Sequence, residues 1–273
     1  MRLIPFAVLC WGSALLAQDA REIVRKSVEL DQANWARRAD YTWNEEDRER
    51  HFDSHNRVTA EHQEAWETLV LDGEPYRRML QRDFKPLPEG EQKKEQQKLD
   101  RIAAKLDKES PQEGERRAAE REKERQRERK FLLEVPDAFH FHLDGEGKID
   151  GQDAWVISAT PRADYHLKSR EGAAMLKVRG KIWIEKAGYE WVRLEAETTA
   201  TISFGWFLAR LNPGGKLVFE QIRVDDGLWL PRRAILGGSG RIGLVKRVAE
   251  EDEITWSNYR KFRVESKVVS AVP

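Results

Sequence analysis

The chain has 273 residues, with 48 basic and 48 acidic side chains and therefore a formal net charge of zero. Dedicated nucleic-acid-binding domains usually carry a net positive charge, so we expect no nucleic-acid partner. The single cysteine excludes an internal disulfide, a two-cysteine redox motif and a cysteine-rich zinc site. Ten tryptophans and 40% hydrophobic residues are enough to form a buried core, which argues against global disorder.

The first 17 residues have the pattern of a secretory signal peptide. Arg2 precedes an apolar run from Leu3 to Ala17, and a polar stretch follows directly. The run is shorter than the ~20 apolar residues that cross a membrane comfortably, although a retained N-terminal anchor is the alternative. We expect cleavage after Ala17, loss of Cys10 with the signal, and a mature protein in the periplasm, either free or peripheral to the outer membrane.

The first predicted elements of the mature chain are one helix and a group of strands. Over residues 20–38, apolar side chains that include Ile23, Val24 and Val28 fall near one helical face. From Tyr41 the pattern changes to period two, which is typical of strands. Turn signals and alternation then predict a turn at 53–56, a strand over 57–71, a turn at 72–75 and a strand over 76–81.

A highly charged insert follows these strands. Between residues 89 and 130, 26 of 42 side chains are charged. A narrow apolar stripe from Leu99 to Leu106 predicts one helix, Ser110 and Pro111 break it, and a second helix is predicted over 112–133. The insert is either a solvated helical hairpin with no partner or a lid or partner-docking arm.

From Pro136 onward the chain is predicted to be rich in strands. Residues 161–177 are interpreted as a loop, the alternating stretch from Val192 to Ile202 as one strand, and Gly237–Gly240 as a turn. Ten or eleven strands joined mostly by short turns must run antiparallel to their neighbours. The predicted fold is mainly β (α+β), one strongly curved antiparallel sheet whose concave face the N-terminal helix and the inserted helical hairpin can cover.

Two late segments resemble a known family. Residues Gly180–Glu197 have the sequence GKIWIEKAGYEWVRLEAE, and Asp225–Arg233 have the sequence DDGLWLPRR. With the signal peptide and the helix after it, these hairpin motifs are similar to the LolA-like outer-membrane lipoprotein-sorting proteins and to related envelope-stress sensors. The resemblance covers residues 136–264 best and 20–82 loosely. It implies an unclosed half-barrel whose helices enclose an apolar cavity for acyl chains.

The sequence contains no strong catalytic constellation. Nucleophile-elbow, zinc-protease and P-loop motifs are missing from it, and the predicted antiparallel strands contain no βαβ unit that could carry a dinucleotide-binding fingerprint. His140 and His142 share one strand face and would need a third ligand to bind Zn²⁺, and the favoured alternative is that both face solvent. We therefore expect no enzymatic activity, no cofactor and no metal site.

Aromatic side chains on or beside the predicted strands are the candidate ligand contacts. The stretch 202–209 is the most apolar of the mature chain, and it is either a buried strand or a rim segment that contacts acyl chains. Each buried methylene contributes ~0.8 kcal/mol, so acyl chains can bind with almost no polar contacts. The candidate cavity residues are Trp43, Phe141, Trp183, Trp191, Phe204, Trp206, Phe207 and Trp229.

Two functions are consistent with these features. Residues 18–273 are expected to form one monomeric domain with the helical insert at about 89–134. The first function is an exported periplasmic protein that binds acyl chains of a lipid or lipoprotein without catalysis. The alternative is an envelope sensor or scaffold that contacts a protein partner through residues 89–134. An apolar cavity between sheet and helices favours the first function, and a filled core favours the second.

Overall fold

The computed structural model describes residues 19–38, 40–71, 74–166, 170–204, 209–224, 227–242 and 246–261. The predicted signal peptide, residues 1–17, lies outside the described residues. Within these segments, no helix has both the length and the apolar character needed to cross a membrane.

Thirteen antiparallel strands form one sheet in the described part of the chain. The order is β4-β3-β2-β1-β13-β12-β11-β8-β7-β6-β5, and a small hairpin of β9 and β10 pairs with β12. Because β4 and β5 lie at opposite ends of this order, the sheet is not closed, which confirms the predicted fold class with thirteen strands in place of ten or eleven. The strands are β1 Tyr41–Phe52, β2 Val58–Leu71, β3 Glu74–Arg82, β4 Lys85–Pro86, β5 Phe139–Ile149, β6 Gln152–Pro161, β7 Val178–Glu185, β8 Trp191–Thr198, β9 Ile202–Phe204, β10 Ala209–Leu211, β11 Lys216–Arg223, β12 Trp229–Ile242 and β13 Lys246–Lys261.

The helices agree with the predicted positions in most places. The second helix of the insert begins at Pro111 because Ser110 and Glu113 form a capping box, in which each side chain accepts a hydrogen bond from the other residue's backbone N–H. A short helix also lies inside the segment that was predicted as a loop. The helices are α1 Ala20–Arg38, α2 Glu89–Leu106, α3 Pro111–Arg129, α4 Val135–Ala138 and α5 Arg170–Met175, with a 3₁₀ turn at Lys130–Glu134.

The prediction of a turn at Gly237–Gly240 is wrong, since β12 runs straight through these residues. The glycines serve close packing. A Cβ atom on Gly240 would lie 2.0 Å from the carbonyl oxygen of Arg210, and one on Gly238 would lie 2.7 Å from a methyl carbon of Leu211. The β9–β10 hairpin can therefore approach β12 only because these positions lack side chains.

Helix α1 packs directly on one face of the sheet, which we call the inner face. Ile23 and Val24 of α1 contact a cluster that includes Ile157 and Ile184, and none of these four side chains is more than 1% exposed. Directly paired residues of neighbouring strands point to the same face of a sheet, so the strand pairing shows which residues of every strand lie on the inner face. One such row is Ile182, Leu194, Phe219, Ala234, Ile254, Asp47 and Glu64.

The charged hairpin of α2 and α3 connects the edge of the sheet to α1. The backbone N–H of Met79 in β3 donates to the Glu95 carboxylate of α2 at 3.3 Å, so α2 lies along an edge of β3 that is otherwise open to strand addition. At the other end, Arg129 of α3 forms an ion pair with the buried Asp31 of α1. Asp31 also pairs with Arg38 of the same helix at 2.7 Å, and its pair with Arg129 fixes the end of the hairpin beside α1.

Candidate functional site

An apolar groove lies on the inner face beyond α1. Its volume is about 410 Å³, and none of the described side chains of α1 lines it. Ala196, Leu217 and Leu236 lie directly opposite one another on β8, β11 and β12 and form its floor. Leu236 is 47% exposed, which is unusual for a leucine on the covered side of a sheet. The volume falls within the ~300–1,000 Å³ typical of small-molecule sites.

This position differs from the cavity implied by the family resemblance. Beneath α1, the space is filled by Ile23 and Val24 packed on Trp155, Ile157 and Ile184. The open apolar surface lies beside α1, where β8, β11 and β12 meet the β9–β10 hairpin. The structure therefore has a filled core beneath α1, which is the feature expected of a scaffold, and an open apolar groove on the same face of the sheet, which is the feature expected of a ligand-binding protein.

The floor of the groove carries no inward-facing cation among the described residues. Arg210 and Lys216 also border the groove. Adjacent residues of a strand point to opposite faces. Leu211 contacts Gly238 on the inner face, so its neighbour Arg210 points to the outer face. Leu217 lies on the inner face, so its neighbour Lys216 also points to the outer face.

Carboxylates border the groove along β13. Asp252 and Glu250 line it, and Asp252 lies directly opposite Leu236. On the next strand Glu49 lies directly opposite Asp252, and Asp47 in turn faces Glu64 of β2. At the level of Leu236 and Asp252 the inner face thus changes from apolar to acidic between β12 and β13. Two pairs of like charges lie directly opposite one another, which is unfavourable.

Burial and mutual repulsion perturb the titration of these carboxylates. Partial burial, with the negative charges of Glu49, Asp47 and Glu250, raises the pKa of Asp252 to about 6, while His51 acts in the opposite direction. Burial, followed by the charge of a neighbouring glutamate, also raises the pKa of Asp47. A strongly perturbed group beside a groove is a candidate for a functional role.

His51 bridges two carboxylates of this acidic region. Its Nε2 atom lies 3.0 Å from Glu49, and its Nδ1 atom lies 3.2 Å from Glu250. The three donor atoms lie within 4.8 Å of one another, a spacing also found around metal ions. Each ring nitrogen already faces a carboxylate, so the contacts of His51 account for this arrangement without any ion.

The sequence analysis did not single out the acidic region, although its signal is visible in β1. Glu45, Asp47, Glu49 and His51 occupy alternate positions, and a strand places alternate residues on one face. The partners in β13 lie some 200 residues later in the chain, so only the pairing of the two strands shows that the carboxylates meet.

The candidate cavity residues are spread over the molecule. Phe141 packs against the core under α1, and the Trp191 indole N–H donates to Asp31 at 3.2 Å in the same region. Trp183 alternates with the inward-facing Ile182 and Ile184, so it lies on the outer face, where the guanidinium of Arg193 is 5.5 Å from its ring centre.

The remaining candidates also lie away from the groove or outside the described residues. Trp43 is on β1 with its ring centre 6.4 Å from that of Tyr259, and Trp229 is 3% exposed. Phe204 belongs to β9, whereas Trp206 and Phe207 lie outside the described residues. None of the predicted cavity residues is among the described residues that line the groove.

The two histidines considered for zinc have the orientation that was favoured from the sequence. His140 and His142 are exposed, while Phe139 is buried and Phe141 and Leu143 are half-buried. The alternation of this strand therefore separates apolar side chains from the histidines as expected.

Comparison with known proteins found similar solved structures but no matching family model and no matching curated protein. A DUF1329 family protein from Desulfovibrio piger is 13% identical, with 91% of this chain and 95% of that chain covered and a TM-score of 0.33. A putative outer membrane lipoprotein-sorting protein domain from Vibrio parahaemolyticus is 13% identical over 90% of this chain and 95% of that chain, with a TM-score of 0.34. In the MucA/MucB complex of Pseudomonas aeruginosa, the matched chain is 9% identical, with coverages of 90% and 100% and a TM-score of 0.26.

The Vibrio parahaemolyticus structure bears the description of the family that the hairpin motifs resemble. Identities and TM-scores this low support no conclusion about a ligand, an activity or a partner of this chain. The function is therefore argued from the groove and its surroundings.

Proposed function

We propose that this protein is an exported periplasmic lipid-binding protein of the lipoprotein-sorting type, which holds an acyl chain in the inner-face groove without catalysis. The observation that supports the proposal is the apolar groove of about 410 Å³ with Leu236 left 47% exposed on its floor. A concave site lined mainly by apolar side chains, with a few polar groups at its border, is typical of small-molecule binding sites.

The energetics of the groove fit a single hydrocarbon chain. Burial of about ten methylenes contributes at most ~8 kcal/mol. That value corresponds to a Kd of about 1 µM, and the entropy lost on association weakens it further. Such binding needs no precisely placed polar group, which fits a floor made of Ala196, Leu217 and Leu236.

The proposal is tested by fluorescence titration of residues 18–273 with an uncharged pyrene-labelled alkyl chain. We expect saturable binding by the wild type and at least a ~10-fold loss in Leu236→Glu, because the new carboxylate would be desolvated by the chain. Ile222→Glu is the matched control, since Ile222 is 37% exposed but does not line the groove. Absence of saturable binding by the wild type, or unchanged binding by Leu236→Glu, would contradict the proposal.

The envelope sensor or scaffold is the second candidate. It is supported by α3, which is exposed along most of its length and carries mixed charges. In this case a protein partner would bind through residues 89–134. Charge reversal at the exposed Lys123 and Arg127 should then abolish a specific envelope cross-link, whereas reversal at the exposed Lys148 on β5 should not. An unchanged cross-link would remove this candidate.

A further inference from the structure

The carboxylates beside the groove are poorly compensated by the protein itself. In the described part of the chain, Asp47, Glu64 and Asp252 form no ion pair, and Glu49 and Glu250 share the single imidazole of His51. This leaves an excess of negative charge at one border of an otherwise apolar groove.

Three basic side chains face this region, since His62 lies directly opposite Glu49, Arg82 lies directly opposite Glu64, and Arg77 acts on Asp47, but each of them also contacts another carboxylate. Arg77 pairs with Glu45 at 2.7 Å, and Arg82 pairs with Glu91 of α2 at 2.9 Å. His62 lies 3.0 Å from Asp83 at the surface, and the contact with that carboxylate raises the pKa of the imidazole. Redirecting any of these cations to Asp252 would break an existing pair.

The arrangement is costly for folding and suited to a cation. Glu49 faces Asp252 and Asp47 faces Glu64 across directly paired positions, where like charges repel. Partial burial adds a desolvation cost for the ionised carboxylates. A positively charged group bound at this border would offset both costs, whereas an anionic headgroup would increase the repulsion.

We infer that the groove binds a single-chain amphiphile with a positively charged ammonium headgroup. This inference rests on the proposed function and names its ligand class. The hydrocarbon lies over Ala196, Leu217 and Leu236, and the ammonium lies beside Asp252 and Glu250. Leu236 and Asp252 are directly paired on adjacent strands, so the end of the chain and the headgroup occupy neighbouring positions.

The test is isothermal titration calorimetry of residues 18–273 at pH 7.5, in EDTA, with three amphiphiles below their micelle-forming concentrations. Decyltrimethylammonium, 1-decanol and decyl sulfate share the same hydrocarbon chain and differ in the charge of the headgroup. We expect the ammonium compound to bind about tenfold more tightly than the alcohol, and the sulfate to bind most weakly.

A double variant identifies the carboxylates responsible. In Glu250→Gln/Asp252→Asn, the ratio of ammonium to alcohol affinity should fall from about ten to near one. Glu197→Gln is the matched control, because Glu197 is a half-buried carboxylate on the outer face of β8, where it pairs with Arg179 at 3.2 Å, and its ratio should stay at the wild-type value. A melting curve of each variant establishes that it is folded.

The outcomes separate this inference from the proposed function. Equal wild-type affinity for all three compounds, or an unchanged ratio in the double variant, would overturn the inference and leave acyl-chain binding intact. Failure of all three compounds to bind would overturn both.

Discussion

The two halves of the inner face have opposite chemistry on one continuous sheet. On β6 and β7, Ile157 and Ile184 are fully buried under α1, and the packing there is typical of a protein core. On β13 and β1, Asp252 and Glu49 occupy the equivalent inward positions and repel each other. The first half stabilises the fold, and the second half reduces its stability. The groove lies on the boundary, where an apolar chain and a charged headgroup can be bound together.

The largest effect on stability should come from a substitution in the apolar core beneath α1. Ile184→Ala removes a fully buried side chain from the cluster under α1 and should lower the free energy of unfolding by about 3 kcal/mol, from lost burial and the cavity left behind. Val58→Ala removes a comparable side chain that is 54% exposed and should change the value by less than about 0.5 kcal/mol. Urea unfolding measures both, and equal effects would show that α1 is not packed on this cluster.

A smaller loss of stability should follow from placing a side chain between the closely packed strands β10 and β12. Gly240→Ala places a methyl group 2.0 Å from a backbone oxygen and should cost about 2 kcal/mol. Gly237→Ala in the same strand meets nothing closer than 3.6 Å and should be tolerated. Differential scanning calorimetry distinguishes the two variants, and a melting temperature for Gly240→Ala equal to that of the wild type would contradict this packing.

Removing a charge from the acidic half should raise the free energy of unfolding, whereas the two substitutions above lower it. Asp252 has a folded-state pKa of about 6 against an ordinary value of 3.8, so the folded state binds more protons between these values and stability falls as the pH rises through them. Burial and the charges of Glu49, Asp47 and Glu250 raise this pKa, and His51 lowers it. Leu236, which lies opposite on β12, has no titratable group. Asp252→Asn should therefore stabilise the fold at pH 7.5.

We expect a gain of about 1 kcal/mol at pH 7.5, discounted for the solvent exposure of the half-buried side chain, and little change at pH 4. Urea unfolding at the two pH values measures the difference. The outer-face control Glu197→Gln should show no such dependence on pH. Destabilisation of Asp252→Asn at pH 7.5 would mean that its carboxylate has a favourable partner in the fold.

Local patterns in the sequence predicted the elements better than they predicted the site. The bounds of α1 agree with residues 20–38, because apolar periodicity within one helix is a local property. The prediction of a turn at the glycines of β12 was wrong because these residues are needed for close packing against Arg210 and Leu211, which belong to another strand. The abundance of tryptophan led to the prediction of aromatic cavity residues. The face that a tryptophan such as Trp183 occupies depends on its alternation with neighbours whose orientation is known from the structure.

The site itself depends on pairing between distant segments. Alternating carboxylates in β1 could be recognised from the sequence, but their position opposite Asp252 follows from the pairing of β1 with β13. The groove likewise forms from single residues on three strands, none of which belongs to a distinctive motif.

The most direct test of the account is to locate a bound chain by nuclear magnetic resonance, using a sixteen-carbon alcohol with a nitroxide near its methyl end. Paramagnetic broadening should be strongest for backbone amides of Ala196, Leu217 and Leu236, and weak for those of Ile157 and Ile184 beneath α1. Strong broadening under α1, or none along β8, β11 and β12, would contradict a binding groove at the boundary between the two halves.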